Sequence, residues 1–118
     1  MMRRGEVWVA NLNPNRGHEI GKMRPVLVMQ ADILTGIGTP MIIILPMSTQ
    51  IYPAFKRWRV TIPARDRLLK ECQVLVDQPR ALDRTRFSEG PLTQITPEEM
   101  AAVERSLMAV IGITLSAT

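Results

Sequence analysis

Short apolar segments separated by polar turns run through residues 6–95 and predict β-strands. The segments at 24–30 and 41–47 are continuous apolar runs rich in β-branched residues, which at this length favour buried strands over helices. The segment at 57–63 alternates instead, so that Trp58, Val60 and Ile62 share one face. The predicted strands are 6–12, 24–30, 41–47, 57–63, 72–78 and the short segment 91–95.

The last predicted element is an amphipathic helix that follows Thr96. A hydroxyl at the N-cap, Pro97 at the first helical position and Glu99 at the third form a capping box with the favoured proline. Apolar residues then recur at helical spacing, and Gly112 is placed to end the helix. Short strands followed by one helix predict an α+β fold, mainly β, in which a small bent sheet or barrel is closed by a C-terminal amphipathic helix.

The composition predicts one cytoplasmic domain over residues 1–118. No apolar run approaches the ~20 residues of a membrane span, and the N-terminal segment is too polar for a signal peptide. The single cysteine, Cys72, excludes an internal disulfide and a Cys-rich zinc site.

Aromatic residues make up only 4% of the chain. We therefore expect Trp8 and Trp58 in the core, and the aromatic residues are too few to argue for stacking on nucleic-acid bases.

The charge is unevenly distributed along the chain. Residues 1–87 carry 14 of the 15 Lys and Arg and 7 of the 11 Asp and Glu, a net charge of +7, whereas residues 88–118 carry −3. A basic body favours a polyanionic partner, although many proteins are mildly basic without one. We expect one solvated or phosphate-contacting basic face, formed by Arg57, Arg59, Arg65, Arg67 and Lys70.

Residues that could carry chemistry collect at the ends of the predicted strands. His18, the only histidine, and Glu19 lie in a Gly-flanked loop, a composition that is also typical of a plain solvated loop. Arg24 opens a strand and precedes Pro25, which holds its backbone extended. Such an arginine either caps the sheet edge or aims its guanidinium at a phosphate.

Two further polar corners, at 48–50 and 77–80, follow predicted strands. Each could be a simple turn, but hydroxyl groups also bind phosphates, and loops from separate strands can converge on one site. The scattered His, Cys and carboxylate residues lack the spacing of a metal site, and no Gly-rich phosphate loop is present. If the chain acts on nucleic acid as an enzyme, we expect it to work without a metal ion or cofactor.

Four segments together resemble the MazF/PemK family of toxin–antitoxin endoribonucleases, including its Kid-like members. The match runs in order over nearly the whole chain, and the R-G-E-V-W opening followed by G-x-E-x-x-x-x-R-P-V-L-V is its most specific part. The segments are RRGEVWVANLNPNRGHEIGKMRPVLV, PMSTQ, VDQPRALDRTR and TPEEMAAVERSLMAVIG.

The resemblance implies an SH3-like small β-barrel of the CcdB/MazF type with a C-terminal helix, usually in a homodimer. It implies sequence-specific, metal-independent cleavage of single-stranded RNA, with messenger RNA as the expected target and arrest of translation and growth as the result. In that reaction a 2′-OH attacks the adjacent phosphate and leaves a 2′,3′-cyclic phosphate and a 5′-OH. It also implies a MazE-like antitoxin whose disordered acidic tail lies along the RNA groove.

The resemblance also assigns residues. Arg24 matches the family arginine that stabilises the pentacoordinate phosphate, and Ser48 stands where most members have threonine. Asp77 and His18 match the proposed base and its helper in the Kid toxin, but Leu75 stands where that toxin has the arginine proposed as general acid. The expected RNA contacts are Glu19, Lys22, Thr49, Gln50, Gln78 and Arg80.

Two other functions stay open on the sequence. The CcdB-type toxins share this barrel and bind DNA gyrase without catalysis, and a basic SH3-like barrel can be a plain RNA-binding module. The converging polar corners argue against the gyrase binder, and the shortage of aromatic residues argues against the plain module.

Overall fold

The computed structural model describes residues 2–114, which form a bent β-sheet covered by a C-terminal helix. The described strands are β1 (Glu6–Asn11), β2 (Met23–Val28), β3 (Met41–Ser48), β4 (Val60–Ile62), β5 (Cys72–Val74), β6 (Arg80–Asp83) and β7 (Phe87–Gln94). The helices are α1 (Asp32–Gly36) and α2 (Pro97–Val110), with 3-10 turns at Pro53–Phe55 and Arg84–Arg86.

The strands pair antiparallel in the order β4-β5-β3-β2-β1-β7, and β6 pairs with β3 beside this path. β3 is shared between two parts of the sheet. Its first half, from Met41 to Ile44, pairs with β6, whereas Met47 and Ser48 pair with β5. One long strand therefore carries the sheet around its bend, and the predicted α+β class, a small bent barrel-like sheet with a C-terminal helix, is confirmed.

Two apolar clusters lie on opposite faces of the sheet. Leu27 of β2 belongs to the cluster that α2 covers, and Val26 and Val28 belong to the other. A strand buried on both faces needs apolar residues at every position, which is why β2 has a continuous apolar run.

The C-terminal helix begins and ends as the sequence predicts. The Thr96 hydroxyl accepts from the Glu99 N–H, and the Glu99 carboxylate accepts from the Thr96 N–H, so the capping box is complete. Gly112 follows the helix with φ near 83°, a left-handed conformation that favours glycine. Val103 is fully buried against the sheet. Neither helix of the described residues 2–114 is long and apolar enough to cross a membrane.

The segment predicted as a strand at 57–63 is paired only from Val60. Residues before it form a turn in which the Trp58 and Arg59 N–H groups both donate to the Phe55 carbonyl. Trp58 is 40% exposed, so the prediction that it lies in the core is wrong. Trp8 is half-buried and packs against the second cluster.

Three other parts of the sheet differ from the prediction. β5 ends at Val74, because residues 75–78 close a turn with a bond from the Gln78 N–H to the Leu75 carbonyl. α1 and β6 have five and four residues, too few for a periodic pattern. β7 starts at Phe87, well before residue 91, and contains Gly90. A Cβ at Gly90 would come within 2.3 Å of the Trp8 ring, so the glycine allows the two strands to approach.

Candidate active site

The strand-end residues converge on one cavity. Arg24 comes from β2, Ser48 from β3, His18 from the β1–β2 loop and Gln78 from the turn after β5. The cavity is lined by His18, Ile20, Arg24, Ser48, Gln50, Tyr52, Phe55, Arg59, Leu75 and Gln78.

The pairing of β2 with β3 brings Arg24 close to Ser48. Val26 lies opposite Pro46 in this antiparallel pair, and the same register continued by two residues places Arg24 across from Ser48. The two residues are distant along the chain, so only the strand pairing makes them neighbours.

The Arg24 and Ser48 side chains are held with hydrogen-bonding capacity to spare. The Arg24 Nε donates to the Gly21 carbonyl at 3.0 Å, and its terminal nitrogens donate to no protein group among residues 2–114. Ser48 is 6% exposed, and its Oγ accepts from the Gln50 N–H at 3.1 Å. The Ser48 hydroxyl proton is thus left to donate, beside a guanidinium that can take phosphate oxygens.

A second cavity adjoins the first and shares two of its residues, His18 and Gln78, so the two form one continuous groove. Glu19 accepts from the Arg16 N–H at 2.7 Å, and Arg80 donates to the Leu12 carbonyl at 3.4 Å. The second cavity is lined by His18, Glu19, Gln78, Pro79 and Arg80.

Two residues expected to contact RNA lie outside this groove. Thr49 lines a separate apolar depression with Leu68 and Leu69. Lys22 is exposed and adopts a left-handed conformation with φ near 70°, and its side chain lines neither cavity of the groove. β3 ends at Ser48 and the chain bends at Thr49, so Ser48 faces the groove and Thr49 does not.

Asp77 is bound to Arg59, which the sequence analysis assigned to a basic face and not to the active site. Arg59 Nε donates to Asp77 Oδ1 at 2.8 Å and Arg59 Nη2 donates to Asp77 Oδ2 at 2.9 Å. The hydrogen bonds from Arg59 hold the pKa of the Asp77 carboxyl below its usual range. Arg59 lines the groove, whereas Asp77 lines neither of its two cavities.

The groove also contains aromatic residues. Tyr52 and Phe55 line it with their rings edge to face at 5.9 Å, and the Tyr52 hydroxyl donates to Gln50 at 2.9 Å. No periodic signal in the sequence marks them, because they lie in an irregular loop between β3 and β4. The low aromatic content of the chain therefore concealed a local concentration of rings.

The single basic face predicted from the sequence is wrong. Arg65 pairs with Glu99 on α2, and Arg67 pairs with Glu89 on β7, whereas Arg59 points into the groove. The prediction grouped these residues by their closeness in the sequence, whereas the turn at 56–58 and the separate acidic partners of Arg65 and Arg67 divide them. Among residues 2–114, no cluster of three or more His, Cys, Asp or Glu side chains is placed to hold a metal ion.

Comparisons with known proteins agree with the fold. Residues 3–111 match the model of the PemK-like, MazF-like toxins of type II toxin–antitoxin systems. The chain belongs to this family. The resemblance predicted from the four sequence segments is therefore confirmed.

Individual members of the MazF/PemK family cover nearly the whole chain. Endoribonuclease MazF of Staphylococcus saprophyticus is 34% identical over 115 residues, which are 96% of this chain and 93% of that protein. The crystal structure of MazF from Deinococcus radiodurans superposes with a TM-score of 0.78 at 29% identity, covering 94% of this chain and 96% of that one. A MazE–MazF structure from Deinococcus radiodurans gives a TM-score of 0.75 at 25% identity over 96% and 98% of the two chains.

Proposed function

We propose that this toxin cleaves single-stranded RNA at short sequences without a metal ion, leaving a 2′,3′-cyclic phosphate and a 5′-OH. The coarser statement, that the chain is an endoribonuclease toxin of a toxin–antitoxin system, follows from its family and from its 34% identical MazF relative. The observation that carries the proposal is the pairing of Arg24 with Ser48 in a groove that His18 also lines.

In the proposed reaction the ribose 2′-oxygen forms a bond to phosphorus and the bond from phosphorus to the 5′-oxygen breaks. Arg24 donates to the phosphate oxygens, whose negative charge grows in the transition state, and Ser48 donates a further hydrogen bond. His18, which lines the same cavity as Arg24 and Ser48, accepts the proton of the 2′-OH. The departing 5′-oxygen takes a proton from water.

The rest of the groove holds the neighbouring nucleotides. We restrict the proposed RNA contacts to four of the expected residues, because Lys22 and Thr49 lie outside the groove. Amide, carboxylate and guanidinium groups can read base edges and phosphates, which would supply the sequence preference. The four residues are Glu19, Gln50, Gln78 and Arg80.

The first test replaces Arg24. We expect Arg24→Ala to lower the rate of RNA cleavage by ~10²–10³-fold, since it removes the charged donor at the phosphate. Arg105→Ala, an equal loss of charge on α2 outside the groove, should cleave like the wild type. Cleavage of a defined RNA would be followed on gels in excess EDTA, with circular dichroism to check folding.

The same assay distinguishes the other functions. A folded Arg24→Ala protein that cleaves at the wild-type rate would overturn the role of Arg24, and loss of wild-type activity in EDTA would overturn metal-free cleavage. RNA that stays intact despite tight binding would favour the RNA-binding module, and activity only through gyrase would favour the CcdB-like toxin. A substrate with one deoxyribose at the cut site should resist, because its nucleophile is missing.

An acidic, MazE-like antitoxin is the proposed protein partner. Residues 1–87 hold a net charge of +7, and a Deinococcus radiodurans structure similar to this chain is a MazE–MazF structure. An acidic disordered segment in the groove would compete with RNA. The product of a neighbouring small acidic reading frame should therefore inhibit cleavage, and full activity in its excess would contradict the proposal.

A homodimer in the cytoplasm, acting on messenger RNA to stop translation and growth, completes the proposal. Three exposed apolar side chains, Ile33 on α1, Ile37 directly after it and Ile43 on β3, are candidates for contact with a second copy. Light scattering of the purified protein should give twice the 13.3 kDa of one chain. A monomeric mass in this measurement would contradict the homodimer. In induced cells, activity confined to membranes would contradict the cytoplasmic location, and intact messenger RNA would contradict the proposed target.

A further inference from the structure

We propose that Arg59 is a second phosphate-binding guanidinium of the active site, and that Asp77 is the positioning residue that holds it. The inference rests on the proposed function, since it assigns a second cationic side chain to the same groove, where Leu75 replaces the arginine of the Kid-like scheme. It differs from the scheme implied by the Kid-like segments, in which the aspartate itself takes the proton.

The strand register places Arg59 beside the position where the sequence lacks an arginine. Val60 of β4 lies opposite Val74 of β5, and the same register continued by one residue puts Arg59 across from Leu75. Leu75 and Arg59 both line the cavity that contains Arg24 and Ser48. The guanidinium that residue 75 does not provide is therefore supplied by the residue immediately before β4.

Three residues hold the Arg59 guanidinium. Both Asp77 oxygens accept from it at 2.8 and 2.9 Å, Gln73 Oε1 accepts from Nη1 at 3.5 Å, and the Phe55 ring lies 4.6 Å from Cζ. The Arg59 side chain is only 9% exposed. Gln73 is fully buried and also donates to the Tyr52 carbonyl at 3.2 Å, so the same amide fixes the loop that carries Phe55.

The hydrogen-bond inventory leaves Arg59 able to bind a ligand. Of its five N–H groups, three donate to Asp77 and Gln73 within the described chain. One N–H on each terminal nitrogen remains, which is the number needed for a forked bond to two phosphate oxygens. The two hydrogen bonds to Asp77 fix the plane of the guanidinium, so little side-chain conformational entropy is lost when Arg59 binds a phosphate.

The same contacts make Asp77 a poor base. Each of its oxygens already accepts a charge-assisted bond, and ion pairing with Arg59 lowers the affinity of the carboxylate for a proton. A base that takes the 2′-OH proton needs a higher affinity for a proton, not a lower one. Asp77 instead orients a cation toward the phosphorane, whose extra negative charge two guanidinium groups neutralise better than one.

The test uses Arg59→Ala, Arg59→Lys, Asp77→Asn and the double variant Arg59→Ala with Asp77→Asn in the RNA cleavage assay. We expect Arg59→Ala to lower kcat by ~10²-fold with a smaller effect on KM, because the contact strengthens in the transition state. Arg59→Lys should lose most of this activity as well, since an ammonium cannot keep the fork while bound to Asp77. Arg67→Ala, which removes an ion-paired arginine outside the groove, is the matched control and should be unaffected.

The aspartate is tested by coupling and by pH. If Asp77 acts only through Arg59, we expect Asp77→Asn to lower kcat less than Arg59→Ala does, and the double variant to be no slower than Arg59→Ala. The acid side of the pH–rate profile of Asp77→Asn should match that of the wild type. Multiplicative losses, or disappearance of the acid limb in Asp77→Asn, would show that Asp77 is the base and overturn the proposal. Wild-type kcat in a folded Arg59→Lys protein would also overturn it.

Failure of the proposed function is separable from failure of this inference. If the wild type does not cleave RNA, the proposed reaction fails, and Arg59 is tested by binding of a single-stranded RNA oligonucleotide. Arg59→Ala should then weaken binding and lower the dependence of affinity on salt by about one ion, as expected for one lost phosphate contact. Unchanged affinity and salt dependence in that experiment would remove Arg59 from the phosphate site.

Discussion

At the scale of single residues, the Ser48 hydroxyl has two hydrogen-bonding roles in the groove. It accepts from the Gln50 N–H, which fixes the start of the β3–β4 loop, and its own proton is donated to no group among residues 2–114, so it is available to the proposed substrate. Threonine would keep both roles, and its extra methyl group would restrict rotation about χ1. Alanine would remove both.

We therefore expect Ser48→Ala to lower kcat for RNA cleavage by ~10²-fold and Ser48→Thr to stay within ~3-fold of the wild type, by analogy with other transition-state donors. Single-turnover cleavage of a defined RNA measures both. An equal loss of kcat in the two variants would indicate that the buried site tolerates no other side chain. An unchanged kcat in Ser48→Ala would show that the hydroxyl takes no part in the mechanism.

At the scale of elements, α2 is fixed at its N-terminus more firmly than a capping box alone requires. Glu99 accepts from the Thr96 N–H and also from two nitrogens of Arg65, so one carboxylate joins the helix start to the loop before β5. The Thr96 hydroxyl closes the box from the other side. The helix is thereby oriented over the apolar cluster that contains Val103.

Removal of the cap should be measurable in unfolding experiments. We expect Thr96→Ala to lower the free energy of unfolding by about 1 kcal/mol and Thr96→Ser to change it by much less, because serine is an equally good N-cap. Urea unfolding followed by circular dichroism gives both values. The result would contradict the cap assignment if serine and alanine were equally destabilising. Cleavage activity of the folded proteins should be unchanged, since α2 lies away from the groove.

At the scale of the whole molecule, two ion pairs join segments that are distant along the chain. Arg59 with Asp77 joins β4 to the turn after β5, and Arg65 with Glu99 joins the β4–β5 connection to α2. Hydrogen bonds from Arg59 and Arg65 lower the pKa values of the Asp77 and Glu99 carboxyls, respectively.

These lowered pKa values predict a loss of stability in acid. A carboxyl whose pKa is lower in the folded state contributes stability that is fully present above its unfolded value, about 4 for Asp and Glu, and is lost as the pH falls through the lowered value. We expect the urea midpoint of the wild type to fall below about pH 4. The urea midpoint should fall less steeply with decreasing pH in the double variant Asp77→Asn, Glu99→Gln. Parallel curves for the two proteins would show that these pairs do not set acid stability.

The sequence by itself determined the family, the fold class, most strands and the C-terminal helix. Apolar periodicity, capping residues and turn formers are local, so they can be read without knowledge of the rest of the chain. Even so, the short elements β6 and α1 escaped detection, and the loop holding Tyr52, Phe55 and Trp58 was partly mistaken for a strand, because a few residues contain too little pattern.

Only the tertiary structure decided which residues share the groove. The sequence nominated Arg24, Ser48, His18 and Asp77 separately, and a resemblance grouped them. The β2–β3 register brings Arg24 close to Ser48, and the turn after β5 brings Asp77 within hydrogen-bond distance of Arg59. Strand pairing links residues far apart along the chain, and a one-residue change in register would turn a side chain to the opposite face, so this arrangement was not visible in any local segment.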